Sequence, residues 1–140
     1  MIVVDSSAVA AIVFGEPSAP ELVKRLLVEP AGARKMSTAS YVEVGSVLAG
    51  RRITDRPAAI TDLERHISTF GIDLEPVDHA QARIALRARL EFGRGMGHGG
   101  ALNYGDCFTY ALAKTAKEPL LFKGNDFSQT DLVPAVKLLQ

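Results

Sequence analysis

The chain alternates short apolar runs with longer segments in which apolar residues recur at the spacing of an α-helix. An unbroken apolar run at residues 2–4 predicts a buried strand, and residues 6–14 follow it as a helix that ends before a glycine. A second amphipathic helix begins near Ser18. Residues 35–38 are a weaker strand candidate, and residues 40–51 again have helical periodicity. This part of the chain therefore predicts two strands that each lead into a helix.

The middle of the chain continues the same alternation. Residues 55–71 form a predicted helix with a proline in its first turn and a glycine at its end. Residues 72–76 alternate between apolar and polar side chains, as a half-buried strand does. Asp78 and Gln81 have the spacing of a capping box, so they predict the start of a further helix, which ends at Gly93.

The last third of the chain completes the predicted fold. Asn103 has the position of an N-cap for a helix that reaches about Lys117, residues 119–122 form a buried strand, and residues 135–138 form a last edge strand. Because strands and helices alternate throughout, we expect a central, mostly parallel sheet with helices on both faces, a three-layer α/β/α fold. A length of 140 residues suits one such domain, and we expect residues 1–140 to form it.

Composition narrows the functional classes. The 16 Lys and Arg residues balance the 16 Asp and Glu residues, which excludes a generally basic nucleic-acid coat but allows a local basic surface. Cys107 is the only cysteine, so we expect a packed thiol in a reducing compartment. The apolar N-terminus contains Asp5 and lacks the basic residues of a signal peptide, and no segment has the length of a membrane span. We expect a cytoplasmic protein with no membrane contact.

Four acidic residues fall at predicted strand ends or first helical turns, namely Asp5, Glu43, Asp106 and Asp126. In a parallel α/β sheet such places converge in a crevice outside the carboxyl ends of the strands. Gly105, next to Asp106, leaves room for the close approach of backbone or ligand. Oxygen ligands favour Mg²⁺ or Mn²⁺ over zinc, which prefers nitrogen and sulfur. The pattern therefore predicts a metal site.

Each of these carboxylates also has a simpler interpretation. Asp5 can be the N-cap of the helix that follows it, and Asp126 can be a turn aspartate. Ser40 and Glu43 match the capping-box pattern, which would explain the glutamate without any metal. Asp106 falls in a first helical turn, where a negative charge stabilises the helix by only about 0.3–1 kcal/mol. From the residues alone, the capping and metal-binding interpretations of Glu43 both remain open.

Four segments of the chain carry further information. They are V-V-D-S-S-A at 3–8, M-S-T-A-S-Y-V-E at 36–43, L-N-Y-G-D-C-F-T-Y-A-L-A-K at 102–114 and P-L-L-F-K-G-N-D-F at 119–127. In order and spacing they resemble the PIN-domain nucleases, and more closely the VapC-type toxins of bacterial toxin–antitoxin pairs. The resemblance covers nearly the whole chain. It favours a metal ligand at Glu43, because PIN nucleases carry a glutamate in this helix that points at the metals.

This resemblance implies a Mg²⁺-dependent endoribonuclease, with Mn²⁺ able to substitute, that hydrolyses RNA phosphodiester bonds with metal-activated water. It implies catalytic metal ligands at Asp5, Glu43, Asp106 and Asp126. Ser7 and Asn125 are candidate accessory residues. The implied partners are the RNA substrate, a cognate VapB-type antitoxin whose C-terminal segment lies over the crevice, and a second copy of the chain in a homodimer.

Two polar features outside this set have weaker interpretations. Residues 95–100 contain a G-x-G-x-x-G pattern, but they follow a helix, whereas the dinucleotide-binding fingerprint follows a strand. We expect a flexible loop beside the crevice. The resembling toxins have a basic, glycine-bearing loop here, and His98-Gly99-Gly100 replaces the stiffer segment common in them. Arg94 and His98 are candidates to contact phosphate, although a solvated loop explains both more simply. Lys114, Lys117 and Lys123 flank the predicted ligands and are candidates to follow an RNA backbone, although a solvated surface also explains them.

Two other functions account for part of the pattern. A Mg²⁺-dependent phosphohydrolase or phosphotransfer domain, such as a haloacid-dehalogenase-like phosphatase or a receiver domain, also has an aspartate after its first strand. Those families usually place a second acidic residue near it, where this chain has Ser6 and Ser7. The non-enzymatic alternative is a catalytically degenerate domain that only binds nucleic acid or a partner. Metal-dependent cleavage would distinguish a ribonuclease from such a domain.

Overall fold

The computed structural model describes residues 1–52 and 54–137. Strands and helices alternate along the chain, with two helices in succession at three places. In order they are β1 (Ile2–Val4), α1 (Ser6–Val13), α2 (Ala19–Val28), β2 (Arg34–Ser37), α3 (Thr38–Arg51), α4 (Arg56–Thr69), β3 (Asp73–Glu75), α5 (His79–Phe92), α6 (Tyr104–Ala116) and β4 (Leu120–Leu121).

The four strands form one sheet in the order β3-β2-β1-β4, and every neighbouring pair is parallel. Val3 of β1 pairs with Lys35 on one side and with Leu120 on the other, so β1 lies inside the sheet. A central strand of a parallel sheet is covered on both faces, which explains why β1 is wholly apolar. The predicted parallel sheet is confirmed, and its strands all end at the same edge.

Helices cover both faces of this sheet. Ile2 and Val4 point into one apolar core with residues of α1, α2, α3 and α4, whereas Val3 points to the opposite face and packs in a second core with α5 and α6. Adjacent residues of β4 divide in the same way, Leu121 into the first core and Leu120 into the second. The predicted three-layer α/β/α arrangement is confirmed.

Side-chain caps fix where most helices begin. Asp5, Asp55, Asp78 and Asn103 each accept a hydrogen bond from a backbone N–H in the first turn of the following helix, as the sequence predicts. The box predicted at Asp78 is only half present, because the side-chain amide of Gln81 donates to the carbonyl of Pro76 rather than bonding the cap residue.

The capping box that the sequence allowed at Ser40 and Glu43 is not formed. Helix α3 begins at Thr38, and its N-cap is Ser37, whose hydroxyl accepts from the backbone N–H of Ala39 at 3.2 Å. Ser40 therefore lies inside the helix, and Glu43 lies beyond the first turn, where its carboxylate cannot reach the cap residue. Because the cap residue lies three positions before Ser40, capping does not explain the glutamate at position 43.

The predicted edge strand at 135–138 is also not found. Residues 135–137 have no strand conformation, and residue 138 lies outside the described residues. Within the described residues, the segment that follows residue 131 pairs with β4 through an isolated bridge between Leu120 and Pro134. Because β4 is only two residues long, an edge strand has few backbone groups to pair with.

No helix in the described part of the chain is long and apolar enough to cross a membrane.

Candidate metal centre

Asp5 lies at the carboxyl end of β1, and both of its carboxylate oxygens are used. Oδ2 accepts from the backbone N–H of Ser7 at 3.0 Å and so caps α1, while Oδ1 accepts from the hydroxyl of Thr109 at 2.7 Å. The side chain is almost completely buried, with 2% of its surface exposed. The N-cap predicted at this position is present, and each oxygen retains lone-pair capacity for a further partner.

Glu43 projects from α3 towards the beginning of α6. Its Oε1 accepts from the hydroxyl of Ser6 at 2.5 Å. A Cβ atom built on Gly105 would lie 1.9 Å from its Oε2, so only a glycine leaves space for this carboxylate. The close approach predicted at Gly105 is therefore an approach by the Glu43 side chain.

Asp106 lies in the first turn of α6 and forms a complete capping box with Asn103. The backbone N–H of Asn103 donates to Oδ2 of Asp106 at 3.0 Å, and the backbone N–H of Asp106 donates to the side-chain oxygen of Asn103 at 2.8 Å. This box orients the buried Asp106 carboxylate with respect to the helix.

The three carboxylates converge. Asp5, Glu43 and Asp106 each offer an oxygen atom, and these atoms lie within 4.8 Å of one another. They line a cleft of about 290 Å³, to which Asp126 and Lys123 also contribute from the segment after β4. The structure thus brings all four predicted acidic residues to one cleft, three of them in a compact cluster.

Burial and crowding of like charges raise the pKa of two of these groups. Burial is the main reason that the pKa of Asp106 rises to about 8, and the neighbouring Asp5 and Asp126 carboxylates add to the rise. Burial also raises the pKa of Glu43, and the Ser6 hydrogen bond partly offsets this effect. A cation among these oxygens would offset both the cost of burying the charged carboxylates and the repulsion between them. The donor set contains oxygen atoms only, so it fits Mg²⁺ or Mn²⁺.

The two predicted accessory residues have different positions. Ser7 lines the cleft, and its hydroxyl accepts from the backbone N–H of Lys123 at 3.0 Å, which ties the start of α1 to the segment that carries Asp126. Asn125 is exposed and lines a separate depression with Phe122 and other residues. The structure therefore places Ser7 in the acidic cleft and Asn125 outside it.

Only one of the three candidate lysines lines this cleft. Lys123 does so at its rim, where its ammonium group pairs with Glu16 at 2.6 Å. Lys114 and Lys117 lie at the other end of α6 from Asp106, and Lys114 pairs with Asp131 at 2.8 Å. Lys114 and Lys117 do not line the cleft, because the length of α6 separates its two ends, and this favours a solvated surface for these two lysines.

The glycine-rich segment forms an exposed loop between α5 and α6. A bridge between Gly93 and Leu102 closes its base, and Gly95, Gly97 and Gly99 all have positive φ angles. His98 is exposed within it, and none of residues 94–101 lines the acidic cleft. Asn103, shortly after this loop, is a lining residue of the cleft.

Three hydroxyl residues of the site were not predicted. Ser6 donates to Glu43, Thr109 donates to Asp5, and Ser40 bonds to Thr109 at 2.7 Å. A signal for two of them is present in the sequence, since Ser40 precedes Glu43 by three residues and Thr109 follows Asp106 by three. Residues three apart lie on the same side of a helix.

Comparison with known proteins agrees with this geometry. The family model of the PIN domain matches residues 2–133. Ribonuclease VapC42 of Mycobacterium tuberculosis is 44% identical over 133 residues, which cover 95% of this chain and 98% of that protein. The chain belongs to the PIN-domain family, among the VapC ribonucleases. Ribonuclease VapC28 of the same species is 42% identical over 96% of this chain and 97% of its own.

Solved structures of low sequence identity share the fold. The crystal structure of Mycobacterium tuberculosis VapC20, described as a sarcin-ricin loop cleaving toxin, has a TM-score of 0.71 at 20% identity and covers 95% of this chain and 97% of its own. A chain of a toxin–antitoxin complex from Klebsiella pneumoniae has a TM-score of 0.68 at 13% identity, over 99% of this chain and 100% of its own. These two similarities concern the fold alone.

Proposed function

We propose that this protein is a Mg²⁺-dependent endoribonuclease and the toxin of a toxin–antitoxin pair. The observation that carries the proposal is the convergence of Asp5, Glu43 and Asp106 within 4.8 Å in a cleft at the carboxyl edge of the sheet. Membership among the VapC ribonucleases supports RNA as the substrate. A catalytically degenerate domain would have no need of three carboxylates held in such proximity against their mutual repulsion.

In this mechanism Asp5, Glu43 and Asp106 would hold the cation, and Asp126, which lines the same cleft, would complete the site or hold its water. When bound, a divalent cation polarises a phosphoryl oxygen and lowers the pKa of the attacking water. The caps on Asp5 and Asp106 keep both carboxylates in fixed orientations. Lys123 at the rim is placed to attract the RNA phosphate that approaches this negative cleft.

The lining residues favour water over a side chain as the nucleophile. The described residues that line the cleft include no histidine and no cysteine. The hydroxyl of Ser6 donates to Glu43, and that of Ser7 accepts from Lys123, so both are held by other groups. Among the described residues that line the cleft, there is therefore no histidine to remove a proton from the ribose 2′-hydroxyl and begin an internal attack.

The ends of the RNA products test this mechanism. Direct attack by water leaves linear monophosphate ends, and a substrate with a 2′-deoxy sugar at the cleaved position should still be cut. Cleavage in ¹⁸O-labelled water should place the label in the product phosphate during a single turnover. A 2′,3′-cyclic phosphate product, or complete loss of cleavage on 2′-deoxy substitution, would show that the ribose hydroxyl is the nucleophile and would reject the water mechanism.

We also propose that a VapB-type antitoxin covers the cleft, and that the chain acts in the cytoplasm as one domain over residues 1–140 and as a homodimer. Support for the antitoxin comes from the VapC family and from the toxin–antitoxin complex that shares the fold. A basic antitoxin side chain would neutralise the same carboxylates that the cation does. Co-expression with the small protein encoded beside this chain should give a stable complex without cleavage activity. If RNA cleavage persists in the presence of every small protein encoded beside this chain, the proposed partner is contradicted.

A further inference from the structure

A buried line of hydrogen bonds joins Asp5 to the two helices that carry the other ligands. The hydroxyl of Thr109 donates to Oδ1 of Asp5 at 2.7 Å, and the hydroxyl of Ser40 lies 2.7 Å from that of Thr109. Ser40 is completely buried, and Thr109 is 1% exposed. Neither residue lines the acidic cleft, so neither is placed to touch a substrate.

The direction of these bonds is fixed by the acceptor at one end. An ionised carboxylate only accepts hydrogen bonds, so the single hydroxyl proton of Thr109 is committed to Asp5. The Thr109 oxygen must then accept the proton of Ser40. The Ser40 hydroxyl therefore polarises that of Thr109, which strengthens the bond that Thr109 donates to Asp5.

The line also connects the three elements that supply the clustered carboxylates. Ser40 lies one helical turn before Glu43 on α3, and Thr109 lies one turn after Asp106 on α6. The bond between the two hydroxyls thus joins α3 to α6 directly below the ligands, and the bond to Asp5 joins both helices to the end of β1. The two bonds therefore link all three elements that supply the clustered carboxylates.

We propose that Thr109 and Ser40 are positioning residues that fix the orientation of Asp5 and the separation of the three carboxylates before a cation binds. Ser40 acts through Thr109, and Thr109 acts through Asp5. This inference rests on the proposed metal site. A purely structural hydroxyl pair would affect the thermal stability of the protein but would leave its metal affinity unchanged.

The test uses Mn²⁺ titration calorimetry on metal-free protein, with thermal melts and RNA cleavage kinetics beside it. Thr109→Val keeps the side-chain shape and should weaken Mn²⁺ binding by about tenfold, the lower end of what loss of an outer partner of a metal ligand costs. Its kcat should fall, while its KM for RNA stays near that of the wild type. Thr109→Ser restores the hydroxyl and should restore Mn²⁺ affinity.

Ser40 provides the second arm of the experiment. Ser40→Ala should weaken Mn²⁺ binding by itself, and the double variant should bind no more weakly than Thr109→Val, because Ser40 acts only through Thr109. Leu22→Val is the matched control: it removes a buried methylene from α2, a helix that carries none of the clustered carboxylates and neither hydroxyl of the line, and it should lower the melting temperature without changing Mn²⁺ affinity.

Two outcomes would overturn the inference. One is Mn²⁺ affinity in folded Thr109→Val equal to that of the wild type, and the other is full additivity in the double variant. If Thr109→Val does not fold, Ser40→Ala decides, and unchanged Mn²⁺ affinity in that variant overturns the inference. Failure of the wild type itself to bind Mn²⁺ would instead reject the metal site, and this inference with it.

Discussion

At the scale of single residues, capping and metal binding are compatible roles for one carboxylate. Asp5 caps α1 through its own Oδ2 atom, and Asp106 completes the capping box of α6 through its own Oδ2 atom. Both residues nevertheless offer an oxygen to the cluster. The positive end of a helix dipole stabilises a carboxylate at the N-terminus by about 0.3–1 kcal/mol. Two of the three clustered charges therefore receive a small compensation from the helices that position them.

Gly105→Ala separates the stability of α6 from the geometry of the site. The added Cβ would lie 1.9 Å from Oε2 of Glu43, so the glutamate must move away from the cluster. Alanine in a helix is otherwise more stable than glycine by about 0.5–1 kcal/mol. We expect a folded protein with a melting temperature near that of the wild type and a loss of metal binding and cleavage, measured by thermal melts, calorimetry and RNA digestion. Wild-type cleavage by this variant would contradict the role of Glu43.

Glu43→Gln tests the charge of the same residue at nearly constant shape. Removal of one of several crowded negative charges should raise the melting temperature of the metal-free protein. The stabilisation on addition of Mg²⁺ should shrink, since it depends on the affinity of the folded state for the ion. Cleavage should fall by at least about a hundredfold, the upper end for loss of an outer partner alone. Melts without and with Mg²⁺, beside RNA cleavage, measure all three effects; a variant unchanged in each would show that Glu43 is not a ligand.

Asp5 and Asp106 could be found from the sequence because one follows a strand and the other begins a helix, and parallel strands end at one edge of the sheet. Glu43 lies beyond the first turn of α3, and the family resemblance rather than its position favoured it as a ligand. The helical spacing of Ser40 and Thr109 from two of these residues is visible in the sequence, but the contact between the two hydroxyl groups is not. Their contact depends on how α3 packs against α6, which residue patterns within each helix do not specify. The false box at Ser40 arose because Ser37 and Ser40 are both serines three residues apart, and local pattern alone does not decide between them.

At the scale of elements, most helix starts were predictable because side-chain caps mark them in the sequence. The positions of the lysines relative to the cleft were harder to predict. Lys114 follows Asp106 by eight residues, which is about 12 Å along a helix, so the two groups lie at opposite ends of α6. Closeness in sequence does not mean closeness in space along a helix. Lys123 reaches the cleft because the segment after β4 returns to the carboxyl edge of the sheet.

This difference predicts unequal effects of two similar substitutions. Lys123→Met should raise the KM for RNA several-fold, and it should reduce the slope of log affinity against log salt concentration by about 0.7, the value for one phosphate contact on a single strand. Lys114→Met removes a lysine that pairs with Asp131 away from the cleft and serves as the matched control. RNA binding at several salt concentrations measures both. Equal effects of the two changes would mean that RNA does not approach Lys123.

At the scale of the whole molecule, balanced net charge conceals a concentrated negative site. The pKa of Asp106 is raised from 3.8 to about 8 in the folded protein. Between these pH values the folded protein holds a proton that the unfolded chain has released. The contribution to stability is therefore complete below about pH 4 and is lost as the pH rises towards 8. The raised pKa of Glu43 changes the stability with pH in the same direction.

The metal-free protein should accordingly lose thermal stability as the pH rises from 5 to 8. Asp106→Asn keeps an oxygen for the capping box but removes the titrating group, so its melting temperature should depend less on pH over this range. Saturating Mg²⁺ should also reduce the pH dependence of the wild type, because the ion binds the ionised form. Parallel melting curves for the wild type and Asp106→Asn at each pH would contradict this account.

The most direct test of the proposed function is cleavage of total RNA by purified, antitoxin-free protein with and without a chelator. The account predicts cleavage in Mg²⁺ or Mn²⁺, loss of cleavage in the chelator, and recovery when the ion is restored. Asp5→Asn should fold, since its amide oxygen can still cap α1, but should not cleave under any of these conditions. Undiminished cleavage in the chelator, or wild-type cleavage by Asp5→Asn, would contradict a metal-dependent reaction at this cluster.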